Sequence, residues 1–148
     1  MIRPATHADI GDLLVLSEAM HAESRYVAYP FSPSKMAGLF RALIDGQGCV
    51  FVAEADGQLV GMAAGYCEEF WFADAKVAGE YGIYVTKQHR GSRLGVQLLR
   101  EYVRWCKDMG ADLIQAGITT GVTHERTSQV YQGIGFTPTG TVFEYTGE

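Results

Sequence analysis

The sequence predicts a single mixed α/β domain in which a mainly antiparallel sheet is flanked by helices. Apolar residues recur at helical spacing in several segments, and short apolar segments typical of strands lie between them. Asp56 and Gly57 separate two of these strands as a hairpin turn. The 148 residues, 47% of them hydrophobic, contain no repeat or low-complexity linker, so residues 1–148 are expected to form one domain.

The first third of the chain is predicted to be mostly helical. Ile2 to Pro4 form a short strand, and Thr6 caps the helix that follows. Residues 24–35 are aromatic and interrupted by proline, which indicates a loop. Ser34 is then expected to cap a second helix that ends at Gly46.

The remaining elements alternate between strands and helices. Two strands flank Asp56-Gly57, and a third from about Val77 to Val85 pairs with the second of them. A strongly amphipathic helix begins near Leu94 and stops at Gly110. The later segments are predicted as a buried strand, a short helix and a final strand: residues 111–119, 123–135 and 139–146.

Charge and composition exclude several classes of function. The formal net charge of −5 argues against general binding to nucleic acid or anionic membranes. No apolar segment approaches the roughly 20 residues needed to cross a bilayer, and the N-terminus lacks a signal core, so a cytoplasmic protein is expected. The three cysteines lie in apolar segments typical of buried, reduced thiols. The four histidines are scattered, so no metal site is expected.

The segment from Glu80 to Gly95 joins a strand to a helix through a basic turn that contains glycine. Unpaired N–H groups and the helix dipole make such a helix start an anion site. Arg90 and Arg93 add positive charge, and Gly91 lets a ligand approach the backbone. The alternative is an ordinary turn with solvated arginines. The spacing fits neither a P-loop nor a dinucleotide-binding fingerprint.

Several segments together resemble the acetyl-CoA-dependent N-acetyltransferases of the GNAT superfamily, including bacterial and bacteriophage-encoded members. Residues 90–95, RGSRLG, are similar to the family's loop Gln/Arg-x-x-Gly-x-Gly/Ala. Residues 131–136, YQGIGF, are similar to its late Tyr-x-x-x-Gly-Phe signature, and the likeness covers almost the whole chain. Arg93 stands where the family most often has its middle glycine.

The resemblance implies an acetyl-CoA site on the strand, turn and helix. The pyrophosphate is expected on backbone N–H groups of the turn, the pantetheine arm on the strand edge, and the thioester carbonyl at a backbone N–H near Val85. The implied coenzyme-binding residues are Ile83, Tyr84, Val85, Arg90, Gly91, Ser92, Arg93, Leu94, Gly95, Ser128 and Tyr131.

The resemblance also implies catalytic roles for two residues. Tyr131 fills the family's tyrosine position and would protonate the departing thiolate, or else it is a core aromatic residue. Glu80 lies where many relatives carry a glutamate and would deprotonate the amine, directly or through water, or else it is an exposed strand residue.

The acceptor end of the site is expected to be aromatic and partly acidic. Tyr29, Phe31, Glu68 and Phe70 lie in segments that line it in the family, although such aromatic residues also cover cores or form dimers. The implied function is transfer of an acetyl group to a primary amine of a small molecule, peptide or protein, with homodimerisation open. The alternative is a catalytically weak acyl-CoA sensor or interaction module.

Overall fold

The computed structural model describes residues 1–147, which form five strands and four α-helices. The strands are β1 (Ile2–Pro4), β2 (Cys49–Ala55), β3 (Gln58–Glu69), β4 (Lys76–Val85) and β5 (Leu113–Ile114). The helices are α1 (Ile10–Glu23), α2 (Pro33–Ala42), α3 (Leu94–Asp108) and α4 (His124–Ile134). Short 3-10 turns precede α1 and follow both α1 and β4: His7–Asp9, Arg25–Ala28 and Lys87–His89.

The five strands form one sheet in sequence order. The strands β1 to β4 pair antiparallel with their neighbours, whereas β5 runs parallel to β4. In the hairpin between β2 and β3, Asp56 and Gly57 both have left-handed backbones, with φ of 52° and 75°. These angles are those of the tight turn that an Asp-Gly pair favours. The predicted mixed, mainly antiparallel α/β domain is therefore confirmed.

Helices cover both faces of the sheet because alternate strand residues point to opposite sides. Val52 and Met62 pack with Leu13 of α1 and Phe40 of α2. The neighbouring residue Ala53 packs instead with Leu98 of α3. The sheet is thus the middle layer of three, with α1 and α2 on one side and α3 on the other.

Two glycines of β3 let α3 approach the sheet closely. A Cβ atom on Gly65 would lie 2.6 Å from the ring of Tyr102, and one on Gly61 would lie 3.0 Å from Leu98. Because Leu98 and Tyr102 are fully buried, these contacts cannot relax into solvent. They hold α3 close against β3.

The helix limits differ from the predictions in their details. Thr6 is at the N-cap of the 3-10 turn that leads directly into α1, as expected. Ser32, and not Ser34, caps α2, because Pro33 occupies the first helical position and the Ser32 hydroxyl accepts the N–H of Lys35. The predicted end at Gly46 falls in a π-helical turn, Leu43–Gln47, that continues α2.

Of the two strands predicted for the C-terminal part, one is shorter than expected and the other does not form in the described residues. The strand predicted at residues 111–119 pairs only at Leu113 and Ile114, because β4 and β5 diverge beyond that point. The predicted final strand, residues 139–146, does not form in the part of the chain that the structure describes. Val142 and Phe143 in this segment are exposed, so their apolar side chains have no sheet face to cover.

Candidate active site

The divergence of β4 and β5 opens a groove in the sheet. The Gln115 N–H still donates to the Ala78 carbonyl at 2.9 Å, as in a regular ladder. Two residues further on, the Gly117 N–H donates to the carboxylate of Glu80, also at 2.9 Å. At Gly117, the Glu80 carboxylate therefore replaces the backbone carbonyl that would accept this N–H in a regular ladder. The groove between β4 and β5 begins at Glu80.

A β-bulge at Tyr81 changes which side each β4 residue faces. Gly82 is opposite Ala64 and Glu80 is opposite Gly65, so Tyr81 has no partner of its own on β3. Such a bulge kinks the strand and increases its twist. Beyond Ala78, no residue of 1–147 pairs with the outer edge of β4, which leaves the segment up to Val85 open to a ligand.

The groove runs from α1 to α4 between the diverging strands. One wall is β4 from Glu80 to Val85 with the turn that follows, and the other is the chain from Gly117 to Tyr131. The sequence-predicted residues that line it are Glu80, Ile83, Tyr84, Val85, Arg90, Gly91, Ser92, Gly95 and Tyr131. The structure therefore brings most of the predicted coenzyme residues to one groove.

The turn before α3 has the room that an anion needs. Gly91 has φ of +90°, and a Cβ atom there would lie 3.2 Å from the guanidinium of Arg126. Gly95 and Val96 in the first turn of α3 have N–H groups without an intrahelical acceptor. Arg93 is exposed with φ of −82°, a right-handed backbone that any residue adopts, so this position does not require glycine.

The side chain of Arg90 is committed to the protein. It forms a two-pronged ion pair with Glu23 of α1 at 2.8 and 2.9 Å, and its Nε donates to the Val85 carbonyl at 3.1 Å. The Tyr84 hydroxyl donates to the same carboxylate at 2.5 Å. The Arg90 guanidinium and these hydrogen bonds hold the pKa of Glu23 below its usual value. Glu23 thus fastens the turn to α1, and the charge of Arg90 is already balanced.

Replacing Glu23 with glutamine is expected to lower the free energy of unfolding by about 1–3 kcal/mol at pH 7. Glutamine removes the charge that Arg90 pairs with, at a side chain only 16% exposed. Because the folded pKa of Glu23 is lowered, its contribution is complete above the ordinary value of 4.5 and is lost as the pH falls through the folded pKa. The difference should therefore shrink below pH 4.5.

Denaturant unfolding of both proteins at pH 7 and pH 3.5 measures this effect. Glu18→Gln, an exposed position on the same helix, is the matched control and should leave stability unchanged. Equal unfolding free energies for Glu23→Gln and the unaltered protein at pH 7 would rule out an anchoring role for Glu23.

Arg126 was not identified from the sequence, although it lines the groove beside Gly91. Its side chain is exposed and makes no ion pair or hydrogen bond with any of residues 1–147. It is the third residue of α4, where the helix dipole disfavours a cation. The sequence signal that could have indicated a functional role for Arg126 is its position as a cation in the first turn of a predicted helix.

Tyr131 lies on the α4 side of the groove. Its hydroxyl donates to the Gly117 carbonyl at 3.4 Å, and its ring packs on Phe136 with centroids 5.7 Å apart. Burial, with the nearby Glu80 carboxylate, raises the pKa of Tyr131. The phenol therefore keeps its proton at neutral pH.

Glu80 is the only carboxylate in the groove lining among the described residues. Burial raises its pKa, and the hydrogen bond from Gly117 partly offsets that rise. Gly117 thus joins the two candidate catalytic residues, since its N–H binds Glu80 and its carbonyl binds Tyr131. A raised carboxylate pKa beside a neutral phenol is an arrangement suited to moving protons.

The segment after α1 contacts the chain that forms the far wall of the groove. The Arg25 N–H donates to the Thr120 carbonyl at 2.9 Å, and its guanidinium donates to the Thr119 carbonyl. The same guanidinium pairs with Glu144 at 2.5 Å. Arg25 therefore connects the end of α1, the far wall of the groove and the C-terminal segment.

Some predicted residues do not line the groove. Arg93, Leu94 and Ser128 are absent from its lining, and the Ser128 hydroxyl accepts a hydrogen bond from the Gln132 amide. The four residues predicted for the acceptor end lie outside the lining: Tyr29, Phe31, Glu68 and Phe70. Tyr29 is 69% exposed, Phe31 packs on His21, and Phe70 packs on Phe72.

No group of three or more His, Cys, Asp or Glu side chains within residues 1–147 is placed to hold a metal ion. Cys49 and Cys106 are buried and Cys67 is partly buried, and all three thiols are free. Burial raises the pKa of Cys49 to about 12. None of the helices in the described part of the chain has the length and apolarity of a membrane span.

Several known proteins with similar sequences or folds are acetyltransferases. The family model described as acetyltransferase (GNAT) family matches residues 13–136. N-acetyltransferase family 8 member 2 of Rattus norvegicus is 28% identical over 109 residues, which cover 73% of this chain and 47% of that protein. The chain therefore spans about half the length of the curated relatives it matches.

Two solved structures have the same fold. The aminoglycoside 6′-N-acetyltransferase AAC(6′)-IG of Acinetobacter haemolyticus has a TM-score of 0.74 at 20% identity, covering 100% of this chain and 98% of that one. AAC(6′)-Iy in complex with a bisubstrate analogue, CoA-S-monomethyl-acetylneamine, has a TM-score of 0.78 at 19% identity, covering 100% and 97%. The family match spans most of the sequence, including the strands, the turn and the helices that form the groove. This chain therefore belongs to the acetyltransferase (GNAT) family.

Proposed function

We propose that this chain is an N-acetyltransferase that moves an acetyl group from acetyl-CoA to a primary amine by direct attack. The observation that carries the proposal is the pair of groups held by Gly117. A carboxylate with a raised pKa and a protonated phenol lie on either side of one glycine, at the point where two strands part. Family membership and the CoA-containing structure of similar fold support the choice of coenzyme.

The residues of the groove fit acetyl-CoA. Gly91 leaves space at the turn, the N–H groups of Gly95 and Val96 point out of the first turn of α3, and Arg126 supplies an unbalanced positive charge. These groups would hold the pyrophosphate. The open edge of β4 up to Val85 would hold the pantetheine arm, as an added strand does.

Bound acetyl-CoA supplies an acyl group activated as a thioester. Within this site, Glu80 would accept the proton that the amine must lose, directly or through a water. The Tyr131 hydroxyl would hold a proton where the departing sulfur needs one, and the Val85 N–H would donate to the carbonyl oxygen as negative charge develops on it.

Replacing Tyr131 with phenylalanine is expected to lower kcat roughly 100-fold while the Kd of acetyl-CoA changes less than about twofold. The ring and its packing on Phe136 are kept, and only the proton donor is lost. Release of free thiol from acetyl-CoA in the presence of an amine panel measures kcat, and calorimetry measures the Kd.

Tyr102→Phe is the matched control for this experiment. Tyr102 is buried on the same side of the sheet and donates to the Gln115 carbonyl at 2.8 Å, but it does not line the groove. Its loss should reduce stability and leave kcat unchanged. A Tyr131→Phe protein with normal kcat would make Tyr131 a core aromatic residue. Tight acetyl-CoA binding without any turnover would favour the sensor function instead.

Replacing Arg126 with alanine is expected to weaken acetyl-CoA binding about tenfold and to reduce its salt dependence, because a charge-assisted contact to phosphate is lost. Arg100→Ala, an exposed arginine on α3 outside the groove, should bind normally. Titration calorimetry at two salt concentrations tests both variants. Equal affinities would show that Arg126 only approaches Gly91 and contacts no phosphate.

A further inference from the structure

A second groove opens on the same carboxylate from the other direction. It follows β5 and the chain beyond it, and its volume is about 880 Å³, within the range of small-molecule sites. It shares Glu80, Tyr81, Gly117 and Thr119 with the coenzyme groove. The two grooves therefore meet at Glu80, and a molecule in the second groove would contact this carboxylate.

Two tyrosine rings line the second groove near Glu80. The rings of Tyr66 and Tyr81 lie 5.2 Å apart at 56° to each other, and Tyr81 is 52% exposed. Tyr81 is the bulged residue of β4, so its direction does not follow the alternation of the strand. The faces of such rings attract ammonium groups.

Two carboxylates, those of Glu68 and Glu80, act on Tyr66 of this ring pair. Burial raises the pKa of Tyr66, and the Glu68 carboxylate, the neighbouring Tyr81 and the Glu80 carboxylate raise it further. A group whose ionisation is opposed by nearby carboxylates lies in a region that favours a positive charge. The rings of Tyr66 and Tyr81 and the Glu80 carboxylate, which all line this groove, would thus attract one ammonium group.

The remainder of the second groove does not suit further positive charges. Its charged side chains are Glu80 and, towards α3, Lys107. The aliphatic and aromatic residues of its lining are Leu113, Ile114, Ala116, Ile134, Phe136, Val103, Tyr66 and Tyr81. Polar side chains complete the lining: Gln115, Thr119, Thr137 and Thr139. A second cationic group on a ligand would therefore find no further carboxylate to pair with, and it would lie in the same groove as Lys107.

We propose that the second groove is the acceptor site and that it selects a primary amine with one positive charge on an aromatic or aliphatic body, and not a polyamine. The inference rests on the proposed function for the identity of the reaction. The acceptor would then contact Tyr66, Tyr81 and the residues of and after β5, and not the residues predicted from the sequence, Tyr29, Phe31, Glu68 and Phe70. Tyr81 is its specificity-determining residue.

The first test compares acceptors in the thiol-release assay with acetyl-CoA. The value of kcat/KM for 2-phenylethylamine should exceed those for spermidine and neamine by at least about tenfold. Tyr81→Ala should raise the KM for 2-phenylethylamine about tenfold, whereas Tyr81→Phe, which keeps the ring, should stay within about twofold. A preference for the polyamines, or a Tyr81→Ala protein with unchanged KM, overturns the proposal.

The second test separates this proposal from the proposed function. Calorimetry measures 2-phenylethylamine binding to the protein saturated with CoA, where no transfer can occur. Binding that Tyr81→Ala weakens and Tyr81→Phe preserves supports the acceptor groove even if no amine is acetylated. Lack of binding to the CoA complex by the unaltered protein overturns the groove, even if some other amine is acetylated.

Discussion

Replacement of Glu80 with glutamine is expected to lower kcat at least about 100-fold, with the Kd of acetyl-CoA within about twofold of normal. Glutamine has the same shape, and its side-chain oxygen can still accept the Gly117 N–H that Glu80 accepts at 2.9 Å. The arrangement of side chains around Gly117 is therefore kept, and only the ability of residue 80 to accept a proton is lost. Steady-state thiol release and calorimetry measure the two quantities.

The pH dependence of kcat in the unaltered protein tests independently whether Glu80 acts as the base. A base must be ionised, so activity should fall as the pH drops through the folded pKa of Glu80. Burial raises that pKa, which places the acidic limb of the kcat profile above the range of an ordinary glutamate. In Glu80→Gln this limb should disappear.

Glu18→Gln is the control for the substitution itself, since Glu18 is exposed on α1 and lies outside both grooves. It should have normal kcat and a normal profile. A Glu80→Gln protein with wild-type kcat and an unchanged acidic limb would remove Glu80 from the proton path and assign that role to water.

Replacement of Gly91 with glutamate is expected to raise the Kd of acetyl-CoA at least about 100-fold. The new side chain begins 3.2 Å from the Arg126 guanidinium, in a turn with φ of +90° that disfavours any side chain. It fills the turn, repels phosphate and pairs with the cation proposed to bind it.

Gly110→Glu is a matched control because Gly110 also has a left-handed backbone, with φ of +77°, and lies outside both grooves. It introduces the same charge and the same backbone cost at the end of α3. If Gly91→Glu binds acetyl-CoA as well as Gly110→Glu does, the turn is not the phosphate site.

The elements that the sequence predicts well are those fixed by local chemistry. Asp56-Gly57 specifies its own turn, and the amphipathic pattern from Leu94 specifies α3 without reference to the rest of the chain. The strand-turn-helix unit was predictable for the same reason. Arg93 is compatible with this strand-turn-helix unit, because its right-handed backbone does not require glycine at that position.

The elements that were predicted poorly depend on partners distant in sequence. Residues 139–146 have strand-forming side chains, yet a strand also requires a partner, and this segment pairs with none of the described strands. The predicted strand from residue 111 to 119 ends early because β4 diverges from it. No local pattern reports such a divergence.

The same distinction applies to the site. The sequence indicates Arg90 as a cation near phosphate, but its pairing with Glu23 joins positions 67 residues apart and is visible only in the fold. Tyr66 and Tyr81 approach each other through strand pairing and a bulge. Glu80 and Tyr131, by contrast, were identified from motif positions, and the structure places both against Gly117.

We propose that the groove between β4 and β5 transfers an acetyl group from acetyl-CoA to an amine. The most direct measurement follows free thiol and N-acetylated product together, with acetyl-CoA and a panel of primary amines. We expect thiol and acetylated amine to appear in equal amounts for at least one acceptor, and both to disappear in Glu80→Gln. Saturable acetyl-CoA binding with no acetylated product across the panel would contradict this account.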